Sequence, residues 1–81
     1  MPTIPGIPGP YRFFFRSFDC VEPRHIHVRR ERMHCKFWLN PLRLATNRGF
    51  SVRELAIVQT YIEEHESKIR GTWDAHCARR A

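Results

Sequence analysis

The hydrophobic positions of the chain follow two periods, one typical of strands and one typical of a helix. Apolar and polar residues alternate over residues 11–18, 25–30 and 33–39, which predicts three strands, the last two forming a hairpin around Glu31 and Arg32. Pro41 has no N–H for a strand ladder and ends the third strand. Residues 42–45 are ambiguous, and residues 47–49 are expected to form a loop.

From residue 51 onward the period becomes helical. Ser51 and Glu54 match a capping box, in which the serine hydroxyl accepts the amide of Glu54 and the glutamate reaches back to Ser51. Residues at spacings of three and four then form one apolar stripe: Leu55, Val58, Ile62, His65 and Ile69. Gly71 is expected to end or bend the helix, with Trp73 packing beyond it and residues 75–81 frayed.

These elements predict an α+β fold, in which an antiparallel sheet of about three strands packs on one long C-terminal helix. Residues 1–10 are rich in Pro and Gly and form an extended lead-in, with Ile4 and Ile7 free to dock on the core. Residues 11–76 form the single domain that a chain of 81 residues allows, and residues 77–81 form a basic tail.

Strand alternation assigns each side chain to one face of the sheet. The face expected beneath the helix contains Tyr11, Phe13, Phe15, Ile26, Val28, Met33, Cys35, Phe37 and Leu39. The opposite face, expected to be exposed, contains Arg12, Phe14, Arg16, Phe18, His25, His27, Arg29, His34, Lys36 and Trp38. Cations interleaved with aromatic rings suit nucleic acid, whereas an exposed aromatic patch more often marks a protein contact.

Charge and cysteine content indicate which kind of partner and which redox compartment to expect. The formal net charge is +6, most of the cations are arginines, and we expect an acidic partner, either nucleic acid or protein. Cys20, Cys35 and Cys77 are an odd number without a close pair, so we expect free thiols in a reducing cytoplasm. No apolar run reaches the length of a membrane span, and homo-oligomer formation stays open.

The segment EPRHIHV, residues 22–28, holds the most suggestive chemistry. His25 and His27 project to the same side of a strand, with His34 on the partner strand and Asp19 or Glu22 at the rim. The pair suits acid–base cleavage of RNA, with Arg24 or Arg29 steadying the phosphate. It also suits hydrogen bonds that fix the strand start. As a metal site it supplies two of the three or four ligands needed, so we predict no metal and no cofactor.

The same segment resembles the bacterial domain of unknown function family 4160, in which a P-x-H-x-H-V element follows an aromatic strand. The resemblance continues through KFWLNP at residues 36–41, Leu44-Ala45, Gly49-Phe50, Glu54-Leu55, Glu64-His65 and Trp73, and covers roughly residues 2–76. Asn40 stands where many members have Asp, and Arg24 stands where Pro or a small residue is common.

The resemblance implies a partner rather than an activity. Genes of this family often lie beside small genes of the domain of unknown function 2442 type, an arrangement similar to toxin–antitoxin modules. We therefore expect a two-gene module in which the chain binds its cognate small protein, and nucleic acid as well. The predicted binding residues are Arg12, Phe14, Arg16, Arg24, Arg29, His34, Lys36 and Trp38. The alternatives are a small ribonuclease-like toxin using His25 and His27, or a nucleic-acid-binding regulator without catalysis.

Overall fold

Four strands and two helices follow one another along the chain in the computed structural model, which describes residues 3–7 and 9–78. The elements are β1 (Arg12–Phe14), a 3₁₀ helix (Asp19–Val21), β2 (His25–Arg30), β3 (Met33–Leu39), β4 (Leu42–Arg48), α1 (Val52–Glu64) and α2 (Glu66–Ala78). The predicted α+β class is confirmed, with one strand and one helix more than expected.

The sheet is antiparallel, and its strands lie in chain order from β1 to β4. Val28 pairs with Phe13 on one side and with Cys35 on the other, so three residues that alternation assigned to one face lie side by side. Residues 42–45 are a strand rather than ambiguous chain, and β4 includes Asn47 and Arg48 of the predicted loop. The alternation of this segment is irregular because its pairing with β3 shifts between Lys36 and Phe37.

The single long helix of the prediction is divided at His65. The His65 backbone leaves helical geometry (φ −117°, ψ 21°), and the His65 amide donates to the carbonyls of both Tyr61 and Ile62. Gly71, where a break was predicted, lies inside α2, which continues to Ala78. The expected fraying is therefore wrong for residues 75–78, while residues 79–81 of the predicted tail lie outside the described part of the chain.

The predicted cap of α1 is confirmed in one half. The Glu54 amide donates to the Ser51 hydroxyl over 3.1 Å. The Glu54 carboxylate does not return to Ser51; it accepts a hydrogen bond from Arg30 at 2.9 Å. An arginine on the neighbouring strand is a stronger partner for a carboxylate than a neutral backbone amide, so α1 is tied to the sheet at its first turn.

The helices cover one side of the sheet, here called the apolar face. Its buried residues are those that alternation assigned beneath the helix, except that Met33 is only partly buried, joined by Ile4, Phe50, Val58, Ile62, Ile69 and Trp73. Ile7 packs against this cluster, as predicted for the lead-in. Neither α1 nor α2 has the length and hydropathy of a membrane-crossing helix.

The opposite side, here called the polar face, contains Arg12, Phe14, His25, His27, Arg29, His34, Lys36, Trp38, Arg43, Thr46 and Arg48. The predicted exposure of this face is wrong at its centre, because Phe14, His25 and His27 are 1%, 0% and 4% exposed. Alternation places a side chain on a face, but the turn around Asp19 then covers part of that face.

Two of the three cysteines are joined, which corrects the prediction of free thiols. A disulfide links Cys20 in the 3₁₀ helix to Cys77 near the end of α2, and only Cys35 among the described cysteines stays free and buried. The partners are 57 residues apart in sequence, so their spacing gave no sign of the pairing. Cys20 therefore has no free thiol in this structure.

Candidate functional site

The histidines of β2 meet the 3₁₀ helix at the edge of the polar face. Pro23 ends the preceding turn, and the Pro23 carbonyl accepts a hydrogen bond from His25 Nδ1 at 2.9 Å. Asp19 is buried, and its Oδ2 accepts the Arg16 backbone amide at 2.7 Å. These backbone contacts hold a carboxylate and an imidazole facing each other in the interior.

A chain of polar contacts, here called the histidine chain, runs from Asp19 outward through His27 and His34. His27 Nε2 lies 3.0 Å from Asp19 Oδ2, and His27 Nδ1 lies 3.1 Å from His34 Nε2. The Phe14 ring stacks on His27 with centroids 5.3 Å apart, and His27 stacks on His34 at the same separation. A carboxylate only accepts, so His27 donates through Nε2 and receives the His34 Nε2–H at Nδ1.

His25 adds a second imidazole to the same carboxylate. Its Nε2 lies 3.2 Å from Asp19 Oδ2, and its ring lies edge-on to Trp38 and Trp73. Asp19, His25 and His27 therefore offer three potential ligand atoms within 4.8 Å of one another. Asp19 is the member that strand alternation could not place, since it precedes the strand in a turn.

Burial sets the charge of this cluster. It lowers the pKa of His27 to about 4, against the opposing pull of Asp19, so the His27 ring is neutral at pH 7. Burial also lowers the pKa of His34, and the nearby Arg16, Arg29 and Arg48 lower it further. Burial raises the pKa of the Asp19 carboxyl, but the Arg16 amide, helped by the two histidines, outweighs it and holds that pKa below its ordinary value.

Four arginines surround the outer histidine of this chain. The arginine cluster, as we call it, consists of Arg16, Arg29, Arg32 and Arg48, which line a depression of about 190 Å³ with Phe14 and His34. An adjoining depression of about 400 Å³ shares Arg16, His34 and Arg48. Among the described residues, no carboxylate forms an ion pair with any of these four arginines.

Trp38 lies at the other end of the polar face. An open groove of about 570 Å³ is lined by Trp38, Arg24, Arg43 and the turn residues Pro23, Asn40 and Pro41. Lys36 Nζ sits 4.5 Å above the Trp38 ring. Trp38 is four residues from His34 on β3, so the groove and the arginine cluster are about 13 Å apart along the strand.

The predicted binding residues separate into two groups. Arg16, Arg29 and His34 come together in the cluster, and Trp38 lines the groove. Four others are occupied by the protein itself. Arg12 donates to Thr3, Arg24 pairs with Asp74 at 2.7 Å, Lys36 pairs with Glu22 at 2.6 Å, and Phe14 is buried.

His25 and His27, the predicted catalytic pair, are both closed off. With side chains 0% and 5% exposed, neither reaches a substrate in this structure, and His34 is the member of the histidine chain that borders a depression. The sequence-based prediction also missed Arg32, Arg43 and Arg48. Recognising β4 would have placed Arg43 opposite Trp38 and Arg48 opposite His34.

The resemblance stated above is confirmed by comparison with known families. No curated protein and no solved structure matches the chain. One family model does, over residues 11–74, a span that contains the four strands, the histidine chain, the arginine cluster and most of the two helices. The chain therefore belongs to the family described as Domain of unknown function (DUF4160).

Proposed function

We propose that the protein binds nucleic acid across its polar face, with phosphates at the arginine cluster and a base at Trp38. The observation that carries this proposal is the gathering of Arg16, Arg29, Arg32 and Arg48 around one depression with no acidic partner among the described residues. Arginines stay protonated at neutral pH, so four of them repel one another until an anion neutralises the site.

The lowered pKa of His34 supports a positive potential at this place. Part of that lowering comes from Arg16, Arg29 and Arg48, which disfavour a further positive charge on the ring. A phosphate diester is the complementary group, because its oxygens accept the bidentate hydrogen bonds that guanidinium groups donate. Each phosphate bound also releases counterions, which adds affinity at low salt.

The Trp38 groove supports a single strand over a duplex. An aromatic side chain stacks on an unpaired base of any sequence, and each such contact contributes about 1–3 kcal/mol. Arg24 and Arg43 border the same groove. A surface with a stacking ring at one end and phosphate-binding cations at the other matches the way that single-stranded nucleic acids are held.

The test is the salt dependence of affinity for a fluorescent single-stranded RNA, its DNA equivalent and the matching duplex. The expected result is tighter binding of the single strands, with log Kd rising by about 0.7 per log unit of salt for each phosphate contacted. Arg29→Gln/Arg48→Gln should lower that slope by about 0.7 per arginine removed. Arg53→Gln/Arg70→Gln, on the helices, removes the same charge and is the matched control.

Three results would contradict the proposal: no binding at low salt, equal loss in both double variants, or equal affinity for duplex and single strand. Trp38→Phe should retain most of the affinity, whereas Trp38→Leu, which keeps an apolar side chain, should lose about 5-fold or more because stacking is removed. Cleavage of the RNA during the assay would favour the ribonuclease-like alternative, with His34 rather than His25 or His27 at the substrate.

The two-gene module remains our proposal for the biological setting. It rests on the family resemblance, which implies a cognate small protein of the domain of unknown function 2442 type. The buried position of Phe14 removes part of the aromatic surface that supported docking through the polar face. Co-expression with the product of the adjacent gene should give a complex that co-purifies, and two proteins that stay separate when mixed would contradict it.

A further inference from the structure

We propose that Asp19, His25 and His27 bind one divalent transition-metal ion, with zinc as the best fit. The ligand atoms are one Asp19 carboxylate oxygen and the Nε2 atoms of the two histidines. The H-x-H motif of β2 supplies two ligands, and the buried turn before it supplies the third.

The spacing of the three atoms fits a metal ion. His25 Nε2 and His27 Nε2 lie 3.2 Å and 3.0 Å from Asp19 Oδ2, and all three ligand atoms lie within 4.8 Å of one another. Tetrahedral zinc with bonds of about 2.0–2.1 Å places its ligand atoms about 3.3 Å apart. The two distances to Asp19 therefore differ from this value by only a few tenths of an ångström, and the two histidine nitrogens lie within the 4.8 Å bound.

The tautomer of His25 argues for a cation in this place. The Pro23 carbonyl can only accept, so His25 Nδ1 carries a proton, and the neutral form of the ring has its lone pair at Nε2. That atom is fully buried and has no hydrogen-bond partner in the described structure. A lone pair facing a carboxylate oxygen at 3.2 Å is repulsive, and a bound cation turns the contact into two attractive ones.

The contacts around the cluster are those that orient metal ligands. Ligating histidines usually donate their other ring N–H to a carbonyl, a carboxylate or another acceptor. His25 does so to Pro23, and His27 Nδ1 faces His34 Nε2 at 3.1 Å. When the metal replaces the proton on His27 Nε2, the ring donates through Nδ1 and His34 accepts, so both rings stay hydrogen-bonded in the opposite tautomer.

A ligand set of two imidazoles and one carboxylate favours some metal ions over others. Magnesium and calcium prefer oxygen ligands throughout, whereas zinc, copper, nickel and iron accept this mixed set. Among the described residues, no fourth His, Cys, Asp or Glu joins the group. Three protein ligands with one further position is the arrangement of catalytic zinc sites, and it leaves that position to water.

The test uses the full-length oxidised chain, stripped with chelator and titrated with zinc alone in a calorimeter. The expected stoichiometry is one ion per chain, and cobalt in the same site should show the visible absorption of a four-coordinate ion. Asp19→Asn, His25→Gln and His27→Gln should each weaken binding by at least about 100-fold, more than loss of an outer-shell partner. His65→Gln, at the junction of the two helices, should leave the affinity unchanged.

The wild-type protein supplies a readout that does not depend on whether the variants fold. In nitrogen NMR spectra, zinc should shift the Nε2 resonances of His25 and His27 and leave those of His65 in place. Absence of binding, zinc bound to exposed histidines, or affinity that survives loss of Asp19 would each overturn the proposal. Nucleic-acid binding by chelator-treated protein is measured separately, so the two proposals can fail independently.

Discussion

The two faces of the sheet belong to the same strands, but their side chains are buried in different ways. On the apolar face, helices α1 and α2 cover a continuous hydrophobic cluster. On the polar face, a turn of three residues covers His25 and His27 with a single buried carboxylate, Asp19, and Phe14 stacks on His27. Burial on one face therefore depends on apolar area, whereas burial on the other also depends on polar contacts with the buried carboxylate.

The strands and the helices also differ in charge. The strands contain the basic residues Arg12, Arg29, Arg30, Lys36, Arg43 and Arg48 and no Asp or Glu. The helices contain Glu54, Glu63, Glu64, Glu66 and Asp74 among fewer cations. A polyanion is therefore attracted to the polar face and repelled by the helical side, which orients it during approach.

The largest effect should come from truncating either of two adjacent phenylalanines. Phe13 and Phe14 point to opposite faces, yet each is 1% exposed. We expect Phe13→Ala and Phe14→Ala each to lower the free energy of unfolding by about 3–5 kcal/mol. Urea denaturation measures both, with Phe18→Ala, at a site 64% exposed, as the control that should change it by less than about 0.5 kcal/mol. A small effect of Phe14→Ala would restore the exposed polar face of the sequence-based prediction.

Removal of the disulfide should have a nearly equal effect, because it joins the turn covering the polar face to α2. For a cross-link spanning 57 residues, the loop-closure contribution is about 4 kcal/mol. We expect Cys20→Ser/Cys77→Ser to lose up to that amount in urea denaturation and to expose the Arg16 amide to hydrogen exchange.

A thiol count checks the disulfide itself. The unfolded, unreduced wild type should show one reactive thiol, that of Cys35, and the reduced chain should show three. Three thiols without reductant would contradict the pairing. In the folded protein Cys35 should resist thiol reagents, because burial raises its pKa to about 12 and little thiolate forms at neutral pH.

The sequence was sufficient for what depends on local periodicity. Alternation assigned Phe13 and Phe14 to their correct faces, and Ser51 marked the start of α1. It could not show that Asp19 closes over His27 or that Cys20 meets Cys77, since both contacts depend on how separate elements pack together and not on the period of one element. The arginine cluster was only half predicted for the same reason: Arg48 reaches it by strand pairing with His34, in a strand whose irregular register hid its period.

Acid should destabilise the polar face before the apolar one. The pKa of His27 is about 4 in the folded protein against 6.5 as its ordinary value, so the unfolded chain binds more protons between these values. The contribution of His27 to the free energy of unfolding should be fully present above about pH 6.5. The free energy of unfolding should then fall by about 3 kcal/mol as the pH approaches 4. The lowered pKa of Asp19 adds a further loss at lower pH.

Denaturation of chelator-treated protein across this pH range measures the effect. His27→Gln keeps an amide donor for Asp19 but cannot take up a proton, so its stability should depend less on pH. His65→Gln should retain the wild-type dependence. A His27→Gln curve parallel to that of the wild type would assign the acid sensitivity to other groups.

The smallest effect should come from the ion pair that joins the polar face to α2 at the surface. Arg24 and Asp74 are 45% and 53% exposed, and solvent screens their attraction, so Arg24→Gln should change the free energy of unfolding by less than about 0.5 kcal/mol. Because Asp74 already offsets its charge, Arg24→Gln should also weaken nucleic-acid binding less than Arg29→Gln does. Asp74→Asn should release Arg24 toward the Trp38 groove and strengthen binding slightly. Equal losses of affinity for the fluorescent RNA in Arg24→Gln and Arg29→Gln would instead show that the whole polar face, rather than its unpaired arginines, attracts the phosphates.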